Sequence, residues 1–137
     1  MSAEPRLVYA DSSALVKLVV DEPESVALER HLEGGQLLAT SRIALVEVPR
    51  ATALANPGED VQREVEQLFG SCMLVDVSDA LLRDAARLAS RSVRTLDAIH
   101  LASALRIEAD EVIAYDRRLA AAAAERGFAV TQPGSGR

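Results

Sequence analysis

Asp11, Glu47, Asp97 and Asp116 each border or interrupt an apolar run, where an ordinary core has no place for a charge. Asp11 closes Leu7-Val8-Tyr9-Ala10 and Asp116 closes Val112-Ile113-Ala114-Tyr115, while Glu47 lies inside the apolar stretch 43–48 and Asp97 inside 96–102. A buried carboxylate without a partner costs several kcal/mol or gives up its charge. Four together repel one another, so the economical explanation is convergence on something positive, most simply a divalent cation. Oxygen ligands without a His or Cys cluster suit Mg²⁺, with Mn²⁺ as a substitute. Such ions serve phosphodiester hydrolysis: one activates water, and a second ~3.5–4 Å away stabilises the leaving oxygen. The structural alternative makes Asp11 and Asp97 helix caps, puts Asp116 in a turn and pairs Glu47 with Arg50. It explains any one residue well and all four together poorly.

Other polar residues carry less. Ser12, Ser13 and Ser41 offer hydroxyls beside the acids, although capping explains Ser12 and Ser41 as well. His100, one turn after Asp97, is a candidate outer partner of the acids, although a satisfied histidine beside an acidic helix start is the preferred reading, and His31 is read as a solvated residue near a helix end. Asp110-Glu111 reads as a solvated turn. Cys72, the single cysteine, cannot form an internal disulfide and reads as a small, reduced core residue. Gly34-Gly35 stops a helix, and no glycine-rich phosphate loop is present.

Elements that position these residues follow from the alternation of short apolar runs with helical stretches, the pattern of an α/β domain with a parallel sheet. Strands are expected over 7–10, 37–40, 73–77, 112–115 and 128–130. Helices are expected over 13–20 with Ser12 as cap, over 23–31, and from a Ser41 cap to 55. Four more follow over 59–69, 79–89, 96–107 with Thr95 as cap, and 117–126. Pro49 inside the third helix removes a backbone hydrogen bond and predicts a kink beside Glu47. In parallel sheets ligands bind beyond the carboxyl ends of the strands, which is where Asp11 and Asp116 fall. Glu47 shares a helix face with Ile43, Ala44 and Ala51 and should point inward. Asp97, in the first turn of its helix, shares a face with Leu101 and Ala104.

With 137 residues the chain fits one domain, expected over 1–132 with a flexible tail over 133–137. Its 3% aromatic content makes the core aliphatic. No apolar stretch approaches the ~18 residues of a membrane span, and the start lacks the features of a signal peptide. No membrane association and a cytoplasmic location are expected. The net charge of −6 opposes a nucleic-acid partner when taken alone. Its distribution changes that reading, because metal ions at the four acids would answer part of the charge. Arg50, Arg91, Arg94, Arg117 and Arg118 also flank the acids, with a donor geometry suited to phosphate oxygens.

The blocks Tyr9-Ala10-Asp11-Ser12-Ser13-Ala14-Leu15-Val16-Lys17-Leu18, Asp21-Glu22-Pro23-Glu24-Ser25, Glu47-Val48-Pro49-Arg50-Ala51, Leu96-Asp97-Ala98-Ile99-His100-Leu101-Ala102 and Tyr115-Asp116-Arg117-Arg118-Leu119 resemble, in order, those of the PIN-domain VapC toxins. Each block is weak alone, and the ordered set covers nearly the whole chain. The resemblance implies an α/β/α sandwich and a Mg²⁺-dependent endoribonuclease acting as the toxin of a type II toxin–antitoxin pair. It carries the family's acidic quartet onto Asp11, Glu47, Asp97 and Asp116, with Ser12 or Ser13 as a supporting hydroxyl. Asp11, Asp97 and Asp116 would hold metal, and Glu47 would be a ligand or the acceptor of a proton from water. RNA as substrate, a VapB-like antitoxin and a homodimer follow from the same resemblance. Pro49 departs from the aliphatic or small residue usual at its position.

Two rivals stand beside it. A phosphatase or phosphotransfer domain with Asp11 as nucleophile would want a second carboxylate two positions on, where Ser13 stands, and a Lys after a later strand. A non-catalytic PIN-like module that binds RNA or protein would have no need of a complete quartet.

Overall fold

The computed structural model describes residues 4–88, 90 and 92–135. Among these, five short parallel strands form one sheet: β1 (Leu7–Ala10), β2 (Leu37–Ser41), β3 (Met73–Val75), β4 (Glu111–Ile113) and β5 (Ala129–Thr131), in the order β3-β2-β1-β4-β5. Chain order runs outward from β1 through β2 to β3, then resumes on the other side of β1 with β4 and β5. The direction therefore reverses between β1 and β4, and a crevice opens beyond their carboxyl ends.

Alternation along β1 separates the two helical layers. Val8 and Ala10 pack with Leu15 of α1 (Ser12–Lys17), Leu28 of α2 (Ser25–His31), Val48 of α3 (Ala44–Ala55) and Val65 of α4 (Glu59–Gly70). Tyr9, between them, turns to the opposite face with Leu101 of α6 (Thr95–Arg106) and Leu119 of α7 (Arg117–Glu125). A third cluster joins Leu81 and Ala85 of α5 (Asp79–Arg87) to Ile99 and Ala102 of α6. The expected α/β/α sandwich is thus present, with a core of small aliphatic side chains.

Several boundaries move for local reasons. Asp11, not Ser12, caps α1, because its carboxylate accepts from Ala14 N and Ser12 becomes the first helical residue. Ser41 ends β2 instead of capping α3, and its hydroxyl accepts from Ile43 N. Arg94, not Thr95, occupies the cap position of α6. The predicted end of α5 at Ala89 lies outside the described residues. α3 runs through Pro49 as one helix.

Two polar expectations are overturned. Glu111 begins β4 and is 3% exposed, bonded to Arg6 Nε (3.1 Å), His31 Nε2 (2.6 Å) and the Thr131 hydroxyl. Neither Glu111 nor His31 is the solvated residue its surroundings in the sequence suggest. A carboxylate can enter the sheet here because three donors from separate segments satisfy it. The chain after β5 is also held: Tyr115 Oη donates to the Pro133 carbonyl at 2.7 Å. Gly134, at φ +81°, lies so near α2 that a Cβ would come 3.0 Å from that of Ala27. Gly136 and Arg137, the end of the expected tail, lie outside the described residues.

Candidate functional site

Asp11 sits at the end of β1, where its backbone N–H donates to the Ile113 carbonyl of β4 at 3.1 Å. This bond continues the sheet by one residue and sets the carboxylate, 4% exposed, at the mouth of the crevice. Its Oδ1 accepts from Ala14 N (3.0 Å) and from the Ser13 hydroxyl (2.6 Å). The same Ser13 oxygen accepts from Tyr115 N (3.2 Å), so one serine ties the ends of the two strands on either side of the switch point. Asp116 follows at once. It caps α7 through Oδ1, which accepts from Arg118 N (2.9 Å) and Leu119 N (3.1 Å), and its charge acts on Asp11.

Glu47 arrives from α3. Its Oε1 accepts from the Ser12 hydroxyl at 2.6 Å and from His100 Nε2 at 2.8 Å. Because α3 and α6 cover opposite faces of the sheet, this bond passes beyond the strand ends and closes the crevice between the layers. The Arg50 partner expected by the structural alternative is replaced by His100. Asp97 stands one turn before His100 on α6, and its Oδ2 accepts from Arg94 N at 3.2 Å.

The structure therefore joins Asp11, Ser13 and Tyr115 in one hydrogen-bonded network and Ser12, Glu47 and His100 in another, linked through the adjacent Ser12 and Ser13. Asp116 acts on Asp11 through its field, and Asp97 is bonded only to its own helix start among the described residues. Sequence reasoning preferred a merely satisfied His100 and missed Tyr9, whose hydroxyl is 2.7 Å from His100 Nδ1. A signal for them existed in the parity of Tyr9 on β1, which turns it toward α6, and in the i, i+3 spacing of Asp97 and His100.

Electrostatics divide the carboxylates. Burial pushes the Asp11 carboxyl above its ordinary value, and the charge of Asp116 adds to the rise; Ser13, His100 and Ala14 N–H oppose it. Burial also pushes Glu47 upward, but the bonds from His100 and Ser12 outweigh it and hold Glu47 below the usual range. The two carboxyls are therefore shifted in opposite directions, Asp11 upward and Glu47 downward.

Among the described residues no three His, Cys, Asp or Glu side chains stand as a ready cage for a metal ion. The donor chemistry nevertheless fits a hard cation. Each carboxylate takes its bonds on one oxygen, and among the described residues no hydrogen bond reaches Asp11 Oδ2, Glu47 Oε2, Asp97 Oδ1 or Asp116 Oδ2. Capping and ligation are then compatible, since one oxygen holds the backbone while the other is left for a ligand.

Comparison with known proteins accords with this architecture. The family model described as PIN domain matches residues 8–125. The chain is 41% identical to Ribonuclease VapC46 of Mycobacterium tuberculosis over 128 residues, 92% of this chain and 97% of that protein. The chain belongs to the VapC family of PIN-domain ribonucleases. Solved VapC folds superpose on it. The crystal structure of Mycobacterium tuberculosis VapC20, described as a sarcin-ricin loop cleaving toxin, has a TM-score of 0.73 at 16% identity and covers 92% of this chain and 99% of its own. Rickettsia felis VapBC2, solved bound to a DNA fragment from its promoter, has a TM-score of 0.69 at 13% identity, covering 91% of this chain and 97% of its own. At such identities these two likenesses concern the fold.

Proposed function

We propose that this VapC protein is a Mg²⁺-dependent endoribonuclease and the toxin of a type II toxin–antitoxin pair, acting in the cytoplasm. The observation that carries the reading is the junction at the switch point, where Ser13 ties Asp11 to the segment bearing Asp116 and Ser12 draws in Glu47. Asp11, Asp97 and Asp116 would hold Mg²⁺, or Mn²⁺ in its place, through their free oxygens, with Glu47 as a further ligand or as base. Such an ion supplies Lewis acidity toward water and phosphate and neutralises charge that develops on the phosphate oxygens.

The residues themselves do the rest. Ser13 and Ala14 N–H fix Asp11, and the cap of α7 fixes Asp116, so both carboxylates keep their orientation as substrate arrives. Glu47, held ionised with Oε1 occupied, has Oε2 available to a proton from the attacking water. Water oxygen bonds to phosphorus in line with the leaving sugar oxygen, whose own bond to phosphorus breaks and which takes a proton from solvent water. Arg50, Arg94, Arg117 and Arg118 are exposed and make no salt bridge among the described residues, which suits them to the RNA backbone despite the net charge of −6.

An apolar groove of about 580 Å³ runs past Glu47, lined by Val46, Leu54 and Leu96, which are 62%, 86% and 50% exposed. It suits the C-terminal segment of a VapB-like antitoxin that lays apolar side chains along α3 and places an Arg or Lys among the carboxylates. Exposed apolar residues on the helices also support a homodimer, whose basic residues would line a shared RNA groove.

The test is cleavage of RNA by purified protein with and without Mg²⁺, beside Asp97→Asn. The parent should cut only with the metal, and the variant should lose at least about a hundredfold in rate while keeping its fold. Equal cleavage in EDTA, or an unfolded variant, would remove the metal assignment.

A further inference from the structure

A buried polar chain lies beneath the candidate site, and the reaction just described does not use its far end. Tyr9 Oη is 2.7 Å from His100 Nδ1, and His100 Nε2 is 2.8 Å from Glu47 Oε1. Tyr9 is fully buried and His100 is 4% exposed, in a largely aliphatic core where buried Thr40, Ser41 and Ser103 also lie near the Tyr9 hydroxyl. The rings meet edge to face, with centroids 5.9 Å apart and planes at 72°. A polar pair in such a place is costly unless both ends are satisfied. Here it ends on a carboxylate at the crevice.

The direction of the protons follows from Glu47. An ionised carboxylate only accepts, so Nε2 carries the hydrogen that faces it. In the neutral imidazole Nδ1 is then bare and must accept, and the group beside it is the Tyr9 hydroxyl. The phenol carries one hydrogen, and at 2.7 Å it is donated to Nδ1. Nearby Ser103 spends its own hydrogen on the Ile99 carbonyl at 2.7 Å. With Ser12 and His100 both donating to Oε1, the carboxylate cannot rotate without breaking two bonds, and Oε2 is the oxygen left for chemistry.

We infer that Tyr9 and His100 are positioning residues of this site: the tyrosine hydroxyl locks the imidazole in its Nε2–H form, and the imidazole holds Glu47 with Oε2 free. The inference rests on the proposed nuclease reading and adds two residues that touch neither substrate nor reacting atoms. Outer partners that fix a ligand or base are worth roughly ten- to hundredfold in activity.

The experiment pairs kinetics with the ring spectrum of the intact protein. Nitrogen NMR of the two histidines, told apart in a His31→Gln background, should show His100 as a single Nε2–H tautomer in mildly alkaline buffer without RNA or metal. Tyr9→Phe, which keeps the packing and loses the hydroxyl, should give mixed tautomers. It should also lower kcat by roughly ten- to hundredfold with KM for RNA unchanged. His100→Gln, whose amide can still donate to Oε1, should retain more activity than His100→Ala. An Nδ1–H ring in the parent, or parental kcat in a folded Tyr9→Phe protein, overturns the inference and leaves the nuclease reading intact. A parent that cuts no RNA under any divalent metal overturns both.

Discussion

Burial and the neighbouring Asp116 charge raise Asp11, and the sign of that rise makes it testable. A carboxyl whose folded value exceeds the unfolded one holds its proton more tightly in the native chain. The metal-free protein should therefore lose stability as pH climbs from the ordinary carboxylate range through the raised value, and carry the full cost above it. Asn caps helices as well as Asp and can still accept from Ser13. In EDTA near neutral pH, Asp11→Asn should then melt above the parent, and the gap should close as pH falls below the ordinary carboxylate range. Thermal melts across pH measure this; a variant that melts lower at neutral pH would mean that Asp11 is needed as an anion for folding. Added Mg²⁺ should raise the parent's melting temperature by linkage and leave Asp11→Asn little changed.

Helix α3 carries Glu47 and also a local rule that the fold breaks. Pro49 lies in its interior, where the missing N–H leaves the Leu45 carbonyl without its helical donor. The helix persists because its inner face is anchored by Ala44, Val48 and Thr52, all fully buried. Thr52 adds a hydroxyl bond to the Val48 carbonyl at 3.0 Å. Packing outweighs propensity here, as it does for most helices in proteins. Replacing Pro49 by Ala should restore the backbone bond and stabilise the protein by about 1–3 kcal/mol in urea unfolding. A loss of stability would mean that Pro49 is needed to shape the groove it lines with Arg50 and the start of α4. If the proline also aims Glu47, the stabilised variant should cut RNA more slowly.

Across the whole molecule two polar centres are strung on one sheet. The carboxylates at the strand ends leave oxygens open, whereas Glu111 at the start of β4 has its charge answered by Arg6, His31 and Thr131. Burial pushes Glu111 up, but the bonds from Thr131, His31 and Arg6 outweigh it and hold its carboxyl below the usual range. A lowered carboxyl contributes stability above its unfolded value and loses it as pH falls through the folded one. Glu111→Gln should cost about 1–3 kcal/mol near neutral pH, and parent and variant should converge in acid. Denaturant unfolding over a pH series would show this, and a constant gap at every pH would rule out the charge as its source. Assembly belongs to the same scale. Light scattering at micromolar concentration should give a homodimer, and a monomer would refute that part of the proposal.

Apolar runs and their terminal acids were enough to predict an α/β domain with a parallel sheet and with Asp11 and Asp116 at the carboxyl ends of its strands; the sandwich came from the family resemblance. Both depend on local chemistry, since a short β-branched run reads as a buried strand whatever its partner is. The sequence also marked Glu47 and Asp97, because a charge on a helix's apolar face is visible in its spacing. Only the tertiary structure decided who meets whom. His100 reaches Glu47 across the end of the sheet, Tyr9 reaches His100 through the core, and Glu111 leaves the expected turn for a part-buried pair with His31. These bonds join residues 53, 91 and 80 positions apart. No periodicity in a single segment encodes them, because they arise when strand order and layer assignment bring separate segments to one point.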